Sequence, residues 1–243
     1  WMAAIYLVLA FHTLVLVQFS YWAQPVGWAL AMLLASGTVS AVWVLLGRVG
    51  AQRTAHGVIE SLQTYPALNV LETTLRMDPG WPGHRPGQFA FAMSNPKEGP
   101  HPYTLASAWV PEDRRITFIT KALGDHTRRL PERLQVGDRV TVEGPYGCFT
   151  FDDGRARQIW IGAGIGITPF IARMKYLAQH KGRDARPVDL FHPTSDADPQ
   201  AIEKLRADSQ AAGVALHLFI DKKDGRLTGE RLRAMVPGWK DAS

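Results

Sequence analysis

The sequence has very little cysteine and no charge at all over its first 47 residues. Among 243 residues there is one cysteine, Cys148, which excludes a disulfide scaffold. The apolar content of 46% is ordinary for a folded protein, and we find no repeat or low-complexity tract, so disordered and collagen-like chains are excluded as well. Residues 1–47 contain no Asp, Glu, Lys or Arg, although the whole chain carries 27 basic and 22 acidic residues. The uncharged stretch therefore has a role of its own.

Two apolar runs make up this uncharged stretch. As a helix, residues 1–22 would be about 33 Å long, which matches a bilayer core of about 30 Å, and residues 26–47 are of similar length. Between them lies Ala23-Gln24-Pro25, in which Pro25 cannot continue the first helix. We expect a tight hairpin of two membrane spans. The alternative is a pair of buried core helices in a soluble protein.

Positive charge flanks the hairpin on one side only. Arg48 and Arg53 follow the second run, whereas the loop between the runs has no Lys or Arg. Cytoplasmic loops of membrane proteins carry an excess of these residues. We therefore expect a multi-pass protein of a bacterial-type inner (plasma) membrane, with everything after a linker at residues 50–62 in the cytoplasm.

The remainder of the chain shows two kinds of pattern in succession. Over residues 63–153, short alternating or β-rich runs are separated by Gly and Pro, which predicts an antiparallel sheet or small barrel. Over residues 154–243, strand-like and helix-like runs alternate, which is typical of βαβ units and a parallel sheet. The predicted fold is thus multi-domain, with a helical part at 1–49, a β domain and an α/β domain.

A glycine-rich turn in the α/β domain is the sharpest local motif. Residues 162–169 read G-A-G-I-G-I-T-P and lie between a strand-like and a helix-like run. Small residues let the backbone approach a ligand, and the N–H groups at the helix start form an anion site suited to a pyrophosphate. Thr168 is suited to cap the helix and Pro169 to its first turn. The motif differs from the Rossmann G-x-G-x-x-G at Ile167, and a plain tight turn is the alternative.

This turn resembles the NAD(P)H pyrophosphate loop of the ferredoxin-reductase-type flavoproteins. Four further segments resemble the same family: RPGQF at 85–89, HPYTLAS at 101–107, KALGDHTRRL at 121–130 and GPYG at 144–147. With the two apolar runs, the chain resembles the membrane ferric reductase and NADPH oxidase group over almost its whole length. The resemblance implies an NAD(P)H-dependent flavin oxidoreductase with an FAD-binding β-barrel at 63–153 and an NAD(P)-binding domain at 154–243.

The resemblance also implies roles for individual flavin-site residues. Tyr103 would stack on the isoalloxazine ring and the Thr104 hydroxyl would hydrogen-bond near its reactive nitrogen, so both are candidate catalytic residues. His101 stands where many soluble relatives have arginine, which indicates weaker holding of phosphate. The candidate FAD-binding residues are His101, Pro102, Tyr103, Thr104, Lys121, Gly124, Thr127, Gly144, Tyr146 and Gly147. The alternatives are a buried strand for HPYTLAS, a solvated basic loop for KALGDHTRRL and a purely structural turn for GPYG.

The nucleotide would contact the glycine-rich turn and the end of the next strand. The candidate NAD(P)-binding residues are Gly162, Gly164, Ile165, Gly166, Thr168, Pro169, Thr194 and Ser195. The hydroxyls of Thr194 and Ser195 are suited to a 2′-phosphate. Asp196 follows them, but no acidic residue immediately ends the strand to select a free ribose hydroxyl. This slightly favours NADPH over NADH.

His12 lies well inside the first apolar run. An ionisable residue within a membrane span is a functional candidate, and neutral imidazole is a common axial ligand of haem iron. In the resembled group, two helices carry two histidines each, and these four histidines together hold two b-type haems. His12 resembles the outer histidine of the later helix. Three of those four ligands and a C-terminal Cys-Gly-Pro segment are not in this sequence, so we expect it to be a fragment. A hydrogen-bonding histidine is the alternative; the other histidines have no metal-ligand spacing and are interpreted as surface or packing residues.

Together these features predict a membrane oxidoreductase. It would pass electrons from cytoplasmic NAD(P)H through FAD to haem b, and on to a small-molecule or protein acceptor such as ferric iron or oxygen. Two alternatives are a membrane-anchored flavin reductase that serves a separate protein without binding haem, and a non-catalytic redox- or nucleotide-sensing subunit. The net charge of +5 suits phosphate-rich cofactors and an anionic lipid bilayer, and no basic stripe with interleaved aromatics indicates nucleic acid.

Overall fold

The computed structural model describes residues 1–17, 19–182 and 186–243, which form two compact units, 1–52 and 53–243. The first unit contains helices α1 (Met2–Leu16), α2 (Phe19–Trp22) and α3 (Pro25–Leu45). Pro25 occupies the first turn of α3, where its fixed φ angle suits a helix and its missing N–H is not needed. The Tyr6 hydroxyl on α1 donates to the Leu34 carbonyl on α3 at 3.2 Å, and Gly37 leaves the space that the Tyr6 ring fills.

One of the two predicted spans is found as a single helix of sufficient length. α3 has 21 residues and is apolar enough to cross a membrane. The run predicted over residues 1–22 is instead divided, because α1 ends at Leu16 and Val17 is extended, with ψ 128°. α1 therefore has 15 residues, or about 22 Å, and residue 18 of the predicted span lies outside the described residues.

The second unit begins with an antiparallel barrel. Its strands are β1 (Thr54–Tyr65), β2 (Val70–Met77), β3 (Phe89–Met93), β4 (His101–Thr104), β5 (Arg115–Lys121) and β6 (Arg139–Tyr146), with helix α4 (Asp125–Arg133) between the last two. The strand order is β4-β3-β6-β1-β2-β5, and neighbouring strands are antiparallel. A bridge between Leu105 and Phe118 joins the two ends of this order, so the sheet closes between β4 and β5. The predicted antiparallel β domain is confirmed.

Strand alternation fills the barrel with apolar side chains. Along β2 every second residue is buried, as the two-residue period of a strand requires. The core packs residues from all six strands or the turns beside them, among them Ile59, Leu75, Ala90, Leu105, Ile116, Phe118 and Val142. These side chains hold together the wall on which the predicted flavin residues lie.

The linker expected at residues 50–62 is largely a strand. β1 begins at Thr54 and pairs with both β2 and β6, for instance through Gly57 with Met77 and with Val140. A bulge between Ile59 and Ser61 interrupts the alternation, which is why the sequence pattern does not reveal this strand. The expectation of a linker beyond Arg53 is therefore wrong.

An α/β lobe completes the second unit. Its elements are β7 (Gln158–Ile161), α5 (Thr168–Gln179), β8 (Val188–Thr194), α6 (Pro199–Ala212), β9 (Ala215–Ile220), α7 (Asp221–Asp224) and α8 (Gly229–Met235). The three strands form a parallel sheet in the order β7-β8-β9. Short 3-10 helices cover Ala51–Arg53, Pro66–Leu68, Gly164–Ile167 and Trp239–Asp241. The predicted βαβ organisation is confirmed, and the glycine-rich turn joins β7 to α5.

A buried histidine lies in the barrel near two tryptophans. His84 is 9% exposed, and its Nε2–H donates to the Ser107 carbonyl at 2.9 Å. The ring centroids of Trp81 and Trp109 lie 6.4 and 5.9 Å from the centroid of the His84 ring. Burial lowers the pKa of His84 to about 4, because the cationic imidazole would lose its hydration there.

We predict that His84 makes the fold sensitive to acid. The unfolded chain protonates this histidine below about pH 6.5 and the folded chain only near pH 4, so the free energy of unfolding falls by about 3 kcal/mol across that window. His84→Gln retains a donor near Nε2 and should lose this part of the pH dependence. His56→Gln, at an exposed position of β1, should keep it. Urea unfolding at several pH values checks this, and equal pH dependence in all three proteins would contradict it.

Candidate functional site

A cleft of about 640 Å³ opens where the barrel closes and the glycine-rich turn approaches it. Strand β4, the end of β5 with the start of α4, and the turn before α5 form its walls. It brings together eleven of the predicted site residues: His101, Pro102, Tyr103, Thr104, Lys121, Gly124, Thr127, Ile165, Gly166, Thr168 and Pro169. Residues predicted for the flavin and for the nucleotide therefore share one cleft.

A chain of polar side chains holds Tyr103 in the cleft wall. The Tyr103 hydroxyl lies 3.0 Å from His126 Nε2, and His126 Nδ1 lies 2.7 Å from Glu98 Oε2. Arg133 donates to the other oxygen of Glu98. Because a carboxylate only accepts, Nδ1–H of His126 donates to Glu98, and the Tyr103 hydroxyl is hydrogen-bonded to Nε2 on the other side of the ring. The phenol ring is thus fixed in orientation.

Burial, together with a nearby negative charge, keeps the tyrosine protonated. Burial, with a smaller contribution from the Glu98 charge, raises the pKa of Tyr103 to about 12. The hydrogen bonds from Arg133 and His126 hold the pKa of Glu98 below its ordinary value, so this group is a carboxylate at neutral pH. Tyr103 therefore remains a hydrogen-bond donor at physiological pH.

His101 offers the cleft a nitrogen without a partner. Its ring stacks on that of His126, with centroids 3.6 Å apart. Burial, assisted by the neighbouring His126, lowers the pKa of His101, so the ring is neutral at pH 7. Its Nε2 is buried and has no hydrogen-bond partner among the described residues. Since buried polar atoms are normally paired, a ligand with polar groups suits this wall.

Two glycines leave room for such a ligand. A Cβ at Gly124 or at Gly166 would meet no atom within 4 Å, although both residues line the cleft. Together with the unpaired nitrogen of His101 and the fixed ring of Tyr103, this open space fits a large, partly aromatic and partly phosphorylated cofactor such as FAD.

The turn before α4 offers backbone N–H groups in preference to a side-chain hydroxyl. Thr127 Oγ1 accepts from the N–H groups of Leu123 and Gly124, at 3.0 and 3.1 Å, and donates to the Gly124 carbonyl at 3.2 Å. This hydroxyl is thus engaged within the turn, and Thr127 also lines the cleft, so its assignment to the FAD site stays a prediction. The first N–H groups of α4 have no partner within the helix, and the helix dipole favours an anion there.

The GPYG residues lie away from this cleft. Gly144 and Tyr146 belong to β6, which β3 separates from β4 in the sheet. The Tyr146 ring packs on Phe89, and Gly147 lines a smaller cavity of about 290 Å³. Gly144 and Gly147 have φ angles of 149° and 101°, which favour glycine. The structure therefore does not support the predicted contact of these three residues with FAD; they shape a turn of the barrel.

The glycine-rich turn also borders a second, more enclosed cavity of about 110 Å³. Gly164 and Ile165 line it together with Thr194 at the end of β8. Ser195, predicted beside Thr194, is exposed and does not line it. Ile165 and Lys121 line both openings. The predicted nucleotide residues thus form a continuous path from the flavin cleft to the end of β8.

Two residues that orient Tyr103, namely His126 and Glu98, are not predicted as site residues from the sequence. His126 lies inside the KALGDHTRRL segment, and that location is the signal that marks it as a site residue. Glu98 lies in the loop before β4, where no motif indicates a role. Its importance depends on the pairing of that loop with α4, which only the tertiary structure reveals.

Comparison with known proteins shows what the barrel is similar to. Residues 57–150 match a family model described as an FAD-binding domain. The barrel is therefore similar to an FAD-binding domain. The chain is 29% identical over 133 residues to the reductase component of propane 2-monooxygenase from Mycolicibacterium smegmatis, covering 49% of this chain and 38% of the relative. It is 36% identical over 80 residues to NADPH oxidase 1 of Mus musculus, covering 31% and 13%.

The fold extends beyond the barrel. The crystal structure of the Amycolatopsis cytochrome P450 reductase is similar with a TM-score of 0.64 and 20% identity, over 79% of this chain and 60% of that one. The α/β lobe therefore shares the reductase fold. The chain spans less than half the length of the curated relatives it matches. The names of these relatives, a monooxygenase reductase component and an NADPH oxidase, agree with the enzyme class predicted from the sequence.

We predict that Tyr103→Ala combined with Thr104→Ala removes most of the bound FAD, because the pair takes an aromatic ring and a hydroxyl out of the β4 wall. The FAD released per chain, read from visible absorbance, measures this. Thr64→Ala, at an exposed position of β1 off the cleft, is the control and should retain full FAD. Normal FAD content in the double variant, with circular dichroism unchanged, would contradict the placement of the flavin on β4.

Two glycines of the glycine-rich turn should respond differently to substitution. Gly166→Val should fold normally, since open space surrounds that position, and should weaken NAD(P)H binding at least about tenfold. Gly162→Ala should instead lower stability, because its Cβ would lie 2.8 Å from Ile167 Cα. Thermal unfolding and dinucleotide titration of both variants provide the check. An unchanged affinity of Gly166→Val for NAD(P)H would show that the nucleotide does not bind at this turn.

Proposed function

We propose that the chain forms the FAD- and NAD(P)H-binding part of a membrane oxidoreductase that passes electrons from the dinucleotide to an acceptor such as ferric iron or oxygen. The observation that carries this proposal is the single cleft shared by the β4 residues, the start of α4 and the glycine-rich turn. When bound, FAD supplies the chemistry of accepting a hydride and releasing its electrons one at a time.

The residues of this chain bind and orient the reactants. The Tyr103 ring, fixed through His126 and Glu98, provides a flat apolar surface, and Thr104, the next residue of β4, also lines the cleft. Lys121 and the first N–H groups of α4 supply positive potential for phosphate groups. The start of α5, which also lines the cleft, supplies the same kind of potential, so the two proposed phosphate sites lie at the N-termini of two different helices.

We also propose that residues 1–52 attach the protein to a bacterial-type inner membrane, with the cofactor-binding unit in the cytoplasm. α3 has the length of a span, and Arg48 and Arg53 follow it. Large apolar side chains are exposed along this unit; Leu33 and Val39, for example, are 69% and 66% exposed. Such a surface is unfavourable in water and suits the lipid bilayer as a partner.

Haem b, held by His12, is the proposed carrier beyond the flavin. His12 is exposed on α1, so its imidazole is accessible to a ligand. Within the described part of the helical unit it is the one histidine, and the described residues contain no cluster of three metal-ligating side chains. These residues supply one axial ligand at most.

A separate protein is the second candidate acceptor. Two relatives carry names that favour it: the reductase component of propane 2-monooxygenase and the electron transfer component of toluate 1,2-dioxygenase from Pseudomonas putida. In that case the helices of residues 1–52 serve as an anchor, and the acceptor binds the cofactor unit from solution.

The visible spectrum of the detergent-purified full chain tests both candidates. Under anaerobic conditions NAD(P)H should bleach the flavin absorption, and Gly166→Val should be bleached by dithionite but much more slowly by NAD(P)H. A Soret band that shifts at the same time supports His12 as a haem ligand, whereas bleaching without a Soret band supports a separate acceptor. Bound flavin that neither NADH nor NADPH reduces would contradict the proposed function.

A further inference from the structure

The enclosed cavity beside the glycine-rich turn has an apolar body and an acidic end. Its apolar part includes Val70, Ile119 and Leu218. At the carboxyl end of β8 it is lined by Thr194, Asp196 and Asp198. In parallel α/β sheets this end of the strands is where nucleotides bind, so these side chains are placed to meet the adenosine half of the dinucleotide.

The two hydroxyls expected to accept a 2′-phosphate are engaged with Asp196. Thr194 Oγ1 donates to the Asp196 carbonyl at 2.8 Å, and Ser195 Oγ donates to the Asp196 carboxylate at 2.8 Å. Neither hydroxyl can donate to a phosphate without leaving its present acceptor. The segment after β8 is thus organised around a carboxylate.

Asp196 is ionised and accessible. The hydrogen bond from Ser195, followed by the charge of Lys222, lowers its pKa below the ordinary value. Lys222 Nζ lies 3.5 Å from Asp196, so the nearest cation is already paired. The Asp196 side chain is 44% exposed and can be reached by a ligand.

The start of α6 does not offer an alternative phosphate site. A helix N-terminus is ordinarily suited to an anion. Here Asp198 caps α6, and its Oδ1 accepts from the N–H groups of Gln200 and Ala201 at 3.0 and 3.1 Å. A second carboxylate therefore occupies the place that a phosphate would take.

Three lysines line the cavity, and each either has another acidic partner or lies at the end of β5. Lys204 donates to both carboxylate oxygens of Glu72, at 2.6 and 2.7 Å. Lys175 is half-buried, and burial lowers its pKa against the opposing charge of Asp208. Lys121 lies at the end of β5 and also lines the flavin cleft. Its charge makes the smallest contribution to the lowered pKa of Asp196, and no hydrogen bond joins the two described side chains.

We infer that Asp196 makes the site selective for NADH, by accepting hydrogen bonds from the free ribose hydroxyls and repelling the 2′-phosphate of NADPH. The inference rests on the proposed function, because it concerns the same nucleotide site. It differs from the slight preference for NADPH indicated by the sequence. The reason is that the sequence shows the hydroxyls of Thr194 and Ser195 but not that both are bound to Asp196.

Equilibrium binding of NAD+ and NADP+ to the FAD-loaded full chain tests this inference without turnover. The wild-type protein should bind NAD+ at least about tenfold more tightly than NADP+, since like charges at close range disfavour the phosphorylated form. In Asp196→Asn that ratio should fall at least about tenfold. Glu203→Gln, which removes an exposed carboxylate of α6 outside the cavity, should leave the ratio unchanged.

The outcomes separate the inference from the proposed function. A wild-type chain that binds NADP+ as tightly as NAD+, or an unchanged ratio in Asp196→Asn, overturns the role of Asp196 while the proposed function stands. A chain that carries FAD but binds neither dinucleotide overturns both. The wild-type ratio needs no variant, so the inference is decided even if Asp196→Asn does not fold.

Discussion

The closure of the barrel between β4 and β5 is the constraint on which the site depends. The Leu105–Phe118 bridge and the hydrogen bond from Ala106 N–H to the Thr117 carbonyl, 2.8 Å long, join two strands that would otherwise be open edges. Closure places His101–Thr104 next to the end of β5, and α4 follows from there. Without it, the residues that form the cleft would belong to opposite ends of one sheet.

Closure alone does not orient the side chains; a connected set of polar groups does. Glu98 precedes β4, His126 begins α4 and Tyr103 lies on β4, so three separate segments meet in one hydrogen-bonded chain. His126 and Glu98 each have a partner on both sides, with Arg133 at the outer end and Tyr103 at the inner end. Removing one member leaves its neighbours with unpaired polar atoms, which makes the arrangement cooperative.

The sequence predicts those features of the structure that depend on a few consecutive residues, and it misses those that depend on contacts made only in the folded chain. The segments at residues 101–104 and 162–169 are recognisable because each function needs consecutive residues, and both line the cleft. Strand β1 escapes prediction because a bulge interrupts its alternation. The hydrogen bonds of Thr127 escape prediction because its hydroxyl has several possible partners, and only the folded turn decides that it bonds to the backbone around Gly124.

Lys121 lines both the flavin cleft and the cavity at the end of β8, and this shared position has a thermodynamic consequence. One ammonium group cannot neutralise phosphates in both openings at full strength. Under the proposed function, a phosphate-bearing ligand in one opening would therefore lower the affinity of the other opening, and linkage requires the effect to be equal in both directions. The flavin and the nucleotide would then be energetically coupled through a single side chain, whatever the redox state of either.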